Sequence, residues 1–316
     1  MVGTANGEEA RGNSMKRARV RVPASTANLG SGFDTLGMAL TLYNEVELTE
    51  EGEGLQLVVD GEGKAVLEKA GVQNLVVRAI QATLEDLGTR RPGLRVRQTN
   101  RIPLRRGLGS SAAACLGGIA AAARLAGVEL STDEILARAL PFEGHPDNIA
   151  PALMGGLTAS AIVEGRVVSA RVPVPERLKA VVVIPSLEMT TKRAREVLPK
   201  QVPFQDAVFN LTRLALLLAG LATDRLDLLA AGSEDRLHQP YRAGLLPGME
   251  AIIEEGRRAG ALAAFLSGAG SSLLALVSGN GEEIGRRMSE RWQREFGMEN
   301  SVRLLEIDRQ GLIYLE

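Results

Sequence analysis

The chain is poor in aromatic residues and in cysteine, and it has no surplus of either charge. Aromatics make up 3% of its 316 residues, so the core must be built from Leu, Val, Ile and Ala. A single cysteine, Cys115, cannot close an intramolecular disulfide. Its place in an Ala/Gly-rich run marks it as a small buried core side chain rather than a nucleophile. Lys and Arg number 37 against 38 Asp and Glu. Without a basic excess, nucleic acid and anionic membranes are not expected partners, and any bound anion must be held locally. No apolar run reaches the roughly 18–20 uninterrupted residues of a membrane helix; the longest candidate, 112–123, is mostly Ala and Gly and ends at Arg124. Residues 1–16 lack the apolar region of a signal peptide. They read as a frayed tail, with Met15 an alternative start, and a cytoplasmic location is the expectation.

What is present is an ordinary globular balance, 45% apolar and 24% charged, with 35 glycines that imply tight turns or close backbone approaches. Alternating apolar residues predict strands at 17–23, 46–48, 55–59 and 94–96, with the Glu/Gly stretch at 50–54 as a hairpin turn. Leu75, Ala79, Ile80 and Leu84 fall at helical spacing, with Asn74 placed to cap them. A helix over 112–126 follows. Ser131 and Glu134 form a capping-box pattern opening a helix to Leu140. Strands are expected at 155–162 and 167–172, and Pro173 and Pro175 mark a boundary. Beyond it come a strand at 178–184, helices near 192–198, 206–222 and 224–232, strands at 262–266 and 273–277, a helix at 281–295 and a last strand at 302–307. Mixed strands and helices in both halves predict α+β architecture.

The most informative segment is Pro103-Leu-Arg-Arg-Gly-Leu-Gly-Ser-Ser-Ala-Ala113. A glycine turn runs into a helix that begins at two serines. Free backbone N–H groups and the positive helix end suit an anion, and Gly107 and Gly109 let it approach the backbone. Ser110 and Ser111 add hydroxyls. No lysine precedes the serines, so this is not a Walker A loop, and the dinucleotide fingerprint is absent. Taken alone, the pattern is also that of a tight turn and a good helix start. Two further small-residue loops at strand ends, Pro23–Asp34 and Ser267–Ser272, point to one polyphosphate site lined by backbone.

These three segments resemble the three signature motifs of the GHMP small-molecule kinases, in the same order and from about Val20 to the C-terminus. The resemblance implies an S5-like N-terminal ATP-binding domain over 17–173 and a ferredoxin-like C-terminal domain over 174–316. It implies that Pro103, Arg105, Gly107, Leu108, Gly109, Ser110, Ser111 and Ala112 wrap the phosphates of ATP. Ser111 and Glu143 then hold Mg2+. Asn74 matches the adenine contact, with helix capping as its other reading. Arg105 and Arg106 flank the loop and also read as a solvated pair.

Within the family, Pro23–Asp34, Glu143–Pro151, Thr190–Arg195 and Leu237–Arg242 are similar to the homoserine kinase branch. That likeness implies L-homoserine as substrate, phosphorylated on its hydroxyl. Arg195 and Arg242 clamp its carboxylate, and Asn28, Asp34, His145, Asp147 and Gly268 contact the remainder. A paired guanidinium fork is the chemistry a carboxylate calls for. Asp147 stands where mevalonate kinases place a general base, but Ser25 replaces their lysine, so Asp147 reads either as base or as an orienting group. His238 reads as a structural residue at a helix end on the surface. The Leu211–Leu221 stripe reads as core or as an interface, and a homodimer is the family-based expectation. Other GHMP substrates (a polyol, shikimate or an isoprenoid precursor) and a non-catalytic, metabolite-binding relative are the alternatives. An RNA-binding S5-like module is disfavoured by the neutral charge and scarce aromatics.

Overall fold

The structure, a computed structural model, describes residues 17–316; the tail expected over 1–16 lies outside the described residues. The first half runs β1 (Arg17–Ala27), β2 (Leu36–Glu50), β3 (Gly54–Gly61), α1 (Lys64–Ala70), α2 (Leu75–Asp86), β4 (Gly93–Asn100), α3 (Ser110–Leu125), α4 (Thr132–Glu143), α5 (Pro146–Met154), β5 (Leu157–Val163) and β6 (Arg166–Val172). The second runs β7 (Lys179–Pro185), α6 (Thr191–Glu196), α7 (Phe204–Ala222), α8 (Leu229–Gly232), α9 (Gln239–Arg242), α10 (Met249–Arg258), β8 (Ala263–Leu266), β9 (Leu273–Val277), α11 (Gly281–Phe296), β10 (Asn300–Glu306) and β11 (Ile313–Leu315). The strands form two sheets, and the architecture is α+β.

The first sheet has the order β11-β1-β2-β4-β3, with β5 paired to β2 and β6 to β5. Its inward row, including Val20, Val22, Val46, Leu48, Leu94 and Val96, packs in one core with α2 and α3. The Ala/Gly composition of α3 lets it lie close to the sheet. Cys115 is fully buried there, and burial pushes its thiol well above the usual range. The turn at 50–54 does not make the expected hairpin. β4 lies between β2 and β3, antiparallel to the former and parallel to the latter. Burial gives the reason: β4 buries Leu94, Val96, Gln98 and Asn100, whereas Val59 is the one fully buried residue of β3. The central slot goes to the strand that fills it, and the exposed edge to β3. β2 is far longer than 46–48. Its pairing with β1 slips next to Pro23, which has no N–H to donate.

The second sheet has the order β10-β7-β9-β8, all antiparallel. Alternate residues divide its faces. Val181, Val183, Leu273 and Ala275 pack with Ile252, Ile284, Met288 and Trp292 of α10 and α11. Ala180, Val182, Phe265 and Leu274 turn into the main core with Leu217 and Leu221 of α7. At 19 residues α7 is long and apolar enough on average to span a membrane, although Asp206, Asn210 and Arg213 interrupt it, so that 112–123 is still the longer unbroken apolar run. Its polar residues are engaged within the fold: Asp206 pairs with Arg236, Asn210 donates to Asp235, and Arg213 pairs with Glu234.

After β10 the chain returns to the first sheet. β11 pairs antiparallel with β1. Asp308 accepts from the hydroxyl of Tyr43 at 2.8 Å and from the N–H groups of Gln310 and Gly311.

Candidate active site

A cleft of about 720 Å3 opens where the loops of the first sheet meet those of the second, and every expected site residue except Ala112 lines it. Ala112 follows Ser111 in α3, but its methyl is buried in the core.

Three loops converge at the centre. Ser25 N–H donates to the carbonyl of Leu108, Gly268 N–H to Ala27, and Ser272 N–H to Arg106. The Ser267 hydroxyl lies within hydrogen-bond distance of the Gly107 carbonyl (2.7 Å) and the Thr26 hydroxyl (2.8 Å). Gly107 and Gly109 have positive φ, and a Cβ on either would sit 2.1 Å from the Ser267 carbonyl or the Ser25 hydroxyl respectively. The loop is thus fixed from behind. On its cleft side, among the described residues, none of the six backbone N–H groups from Gly107 to Ala112 donates to a protein acceptor. With the N-terminus of the 16-residue α3 beneath them, these groups form a nest for an anion. Arg105 and Arg106 both line the cleft: Arg106 is held by the carbonyls of Leu104, Pro185 and Ser186, to which it donates, and Arg105 pairs with Glu188 at 3.2 Å.

Beside the nest, the Ser111 hydroxyl donates to Glu143 at 3.0 Å. Burial raises the Glu143 pKa, partly opposed by that hydrogen bond. A hydroxyl and a carboxylate are hard oxygen donors that suit Mg2+ completed by phosphate and water. Asp147, at the start of α5, is 5% exposed and its pKa is raised to about 7, first by burial and then by Asp34. Asn74 is an N-cap: its Oδ1 accepts from Val76 N–H at 2.9 Å and from Gln98 at 2.8 Å, while its Nδ2 reaches the Leu67 carbonyl at 3.3 Å.

The far end of the cleft is built from side chains. Arg195 grips Asp34 in a two-pronged ion pair of 2.7 and 3.1 Å, so two expected substrate contacts engage each other. Asn28 donates to the Gly268 carbonyl at 2.9 Å and accepts from Asp34 N–H, tying the first loop to the third. His145 Nδ1 stands 3.8 Å from Asp34, and burial lowers its pKa. Arg242 is 3% exposed. Its Nε donates to the Ala194 carbonyl, and its Nη1 to the Gly268 carbonyl and to His238 Nδ1. Burial and the neighbouring Arg195 lower its pKa to about 10.

His238 is not on the surface. It is fully buried, its ring stacked on Phe33 at 5.0 Å, because it stands at the N-cap of α9, which packs with Arg242 in toward the first loop. Phe33 is half-buried, with the guanidinium groups of Arg195 and Arg242 at 5.6 and 5.4 Å from its ring. Neither His238 nor Phe33 was singled out from the sequence as a site residue. Phe33 lies inside the first motif and is one of only six phenylalanines, which was a usable signal. Nothing local in the sequence marks His238 as buried.

Residues 74–156 match the GHMP kinases N-terminal domain and residues 216–294 the GHMP kinases C-terminal domain. The homoserine kinase of Persephonella marina is 44% identical, over 94% of this chain and 98% of that one. That of Moorella thermoacetica is 42% identical, over 94% and 99%. The crystal structure of homoserine kinase from Cytophaga hutchinsonii superposes with a TM-score of 0.84 at 30% identity, over 95% of this chain and 98% of that one. L. major mevalonate kinase in complex with R-mevalonate shares the fold alone, with a TM-score of 0.72 at 17% identity, over 91% and 95%. The chain belongs to the GHMP kinase family, and its two-domain α+β architecture is that family's fold.

Proposed function

We propose that this kinase is a homoserine kinase, which moves the γ-phosphoryl group of ATP to the side-chain hydroxyl of L-homoserine and releases ADP and O-phospho-L-homoserine for threonine synthesis. The observation that carries this reading is Arg242. A buried guanidinium lines the cleft, and among the described residues no carboxylate is paired with it. A buried cation held only by neutral acceptors calls for an anionic ligand, and a carboxylate matches the guanidinium fork. The approach of Arg195 and Asp34 beside it suits a zwitterion, one group for each of its charges.

The nest from Gly107 to Ala112 receives the phosphates and stabilises the charge on the transferred group. Ser111 and Glu143 would hold Mg2+, which when bound neutralises phosphate charge. In the transfer, the substrate oxygen bonds to phosphorus as the bond to ADP breaks, and the hydroxyl proton passes to Asp147 or to an oxygen of the transferred phosphoryl group. Asp147, titrating at about 7, is suited to hold that hydroxyl or to take its proton. The same reading includes a homodimer: Phe204, Val208 and Leu211 leave an exposed apolar strip on α7.

The test is ADP release with ATP and Mg2+, offering L-homoserine beside 3-amino-1-propanol (the same chain without its carboxylate), mevalonate, shikimate and galactose. Turnover should be confined to homoserine. Comparable turnover of 3-amino-1-propanol would reject the assignment of Arg242, and preference for another acceptor would reject the substrate.

A further inference from the structure

We propose that His238 is a positioning residue for acceptor binding, holding the Arg242 guanidinium so that its Nη2 edge faces the cleft. The inference rests on the reading of Arg242 as the carboxylate clamp. A guanidinium has five N–H groups in a fixed plane and no acceptor. In Arg242 the Nε–H goes to the Ala194 carbonyl at 3.1 Å, and the two hydrogens of Nη1 go to the Gly268 carbonyl at 3.1 Å and to His238 Nδ1 at 3.0 Å. Among the described residues Nη2 has no hydrogen-bond partner, and it is not sealed among the buried unpaired atoms. Three hydrogen bonds thus fix the plane and leave one edge for a ligand.

The tautomer of His238 follows from its partners. Nη1 can only donate, so Nδ1 carries no proton. Nε2 carries it and donates to the Gly30 carbonyl at 2.9 Å. An imidazolium would set an Nδ1–H against an arginine N–H. The charged groups facing the ring are Asp235, Arg242 and Asp34, and burial outweighs the two carboxylates, lowering the histidine pKa to about 4. Asp235 is occupied elsewhere: its carboxylate accepts from the N–H groups of Leu237, His238 and Gln239 and from Asn210. It thereby fixes the start of α9, whose N-cap is His238 and whose last residue is Arg242. Phe33 closes the other face of the ring. His238 therefore links the first loop, through Gly30, to the arginine.

Two isosteres separate the two ring nitrogens. In His238→Gln the amide nitrogen takes the place of Nε2 and leaves nothing at Nδ1; in His238→Asn the amide oxygen takes the place of Nδ1. His238→Gln should raise the KM for L-homoserine by tenfold or more, with kcat and the KM for ATP within twofold of wild type. His238→Asn should restore the homoserine KM to within about threefold. Equal effects of both variants, or parallel losses in both KM values and kcat, would show a merely structural histidine and overturn the proposal. Imidazole 15N spectra of the wild-type protein need no variant to fold. They should show the Nε2–H tautomer from pH 5.5 to 8, and a protonated Nδ1 in that range would overturn the proposal. A wild-type enzyme inactive on homoserine would overturn the substrate reading instead, while the spectra would still report the His238–Arg242 contact.

Discussion

The two ends of the cleft are made in different ways. The end we propose for phosphate is one continuous stretch, Gly107 to Ala112, whose backbone N–H groups donate to no acceptor among the described residues while neighbouring loops brace it from behind. The end we propose for the acceptor is assembled from side chains widely separated in sequence: Asn28 and Asp34, His145 and Asp147, Arg195, and Arg242 hydrogen-bonded to His238. A backbone site tolerates side-chain change but not an added Cβ. A side-chain site depends on each partner's identity, and on burying charge that water would otherwise solvate. On the proposed function, binding of a constant ligand and selection of a variable one thus fall to different materials in the same cavity.

The largest effect should come from adding one methyl group to the backbone end. Gly107→Ala puts a Cβ 2.1 Å from the Ser267 carbonyl at a φ of +72°. It should cut kcat/KM for ATP by about a hundredfold or more, an oxyanion-hole-sized loss. Steady-state kinetics within fivefold of wild type would break the comparison.

An effect of opposite sign is expected at the acceptor end. The Asp147 pKa is raised to about 7 from the 3.8 of a free side chain. The folded state therefore holds this proton more tightly than the unfolded chain does. Stability falls as pH rises through that interval, and above it the buried carboxylate costs roughly 2–4 kcal/mol. Asp147→Asn should raise Tm at pH 8 while lowering turnover, and the gain should vanish near pH 4. A Tm equal to or below wild type at pH 8 would mean that the carboxylate is compensated by its neighbours.

The smallest effect concerns Asn74. Its side chain caps α2 and accepts from Gln98, so Asn74→Ala should cost about 1–2 kcal/mol in chemical denaturation. If capping is its only role, the KM for ATP should change less than threefold. A larger rise would make it a nucleotide contact as well.

The same contrast explains what could be read from the sequence. The nest was legible because its spacing, glycines and following helix are local, and the loop had to be a turn whatever lay around it. Most helices and strands were legible for the same reason: their periodicity belongs to single segments. The pairing of β3 with β4 was not, because the 50–54 turn has hairpin composition and only competition for the buried central slot decides the order. Asp34 and Arg195 were named through the family likeness, but their mutual grip is a tertiary fact. His238 was misplaced on the surface because a helix-end histidine followed by Gln and Pro looks solvated until Phe33 and Gly30 arrive from two hundred residues away.

The return of β11 to β1 bears on how the chain acquires its structure during synthesis. The Arg19–Arg21 segment finds its outer partner only in Ile313–Leu315, nearly the full chain later. Until those residues leave the ribosome, one side of β1 presents unpaired N–H and C=O groups, an open template for another chain. Closing this pairing spans the longest loop in the molecule, a slow step by contact order. The edge at Arg19–Arg21 is therefore exposed to wrong pairing from the time β1 forms until Ile313–Leu315 are made.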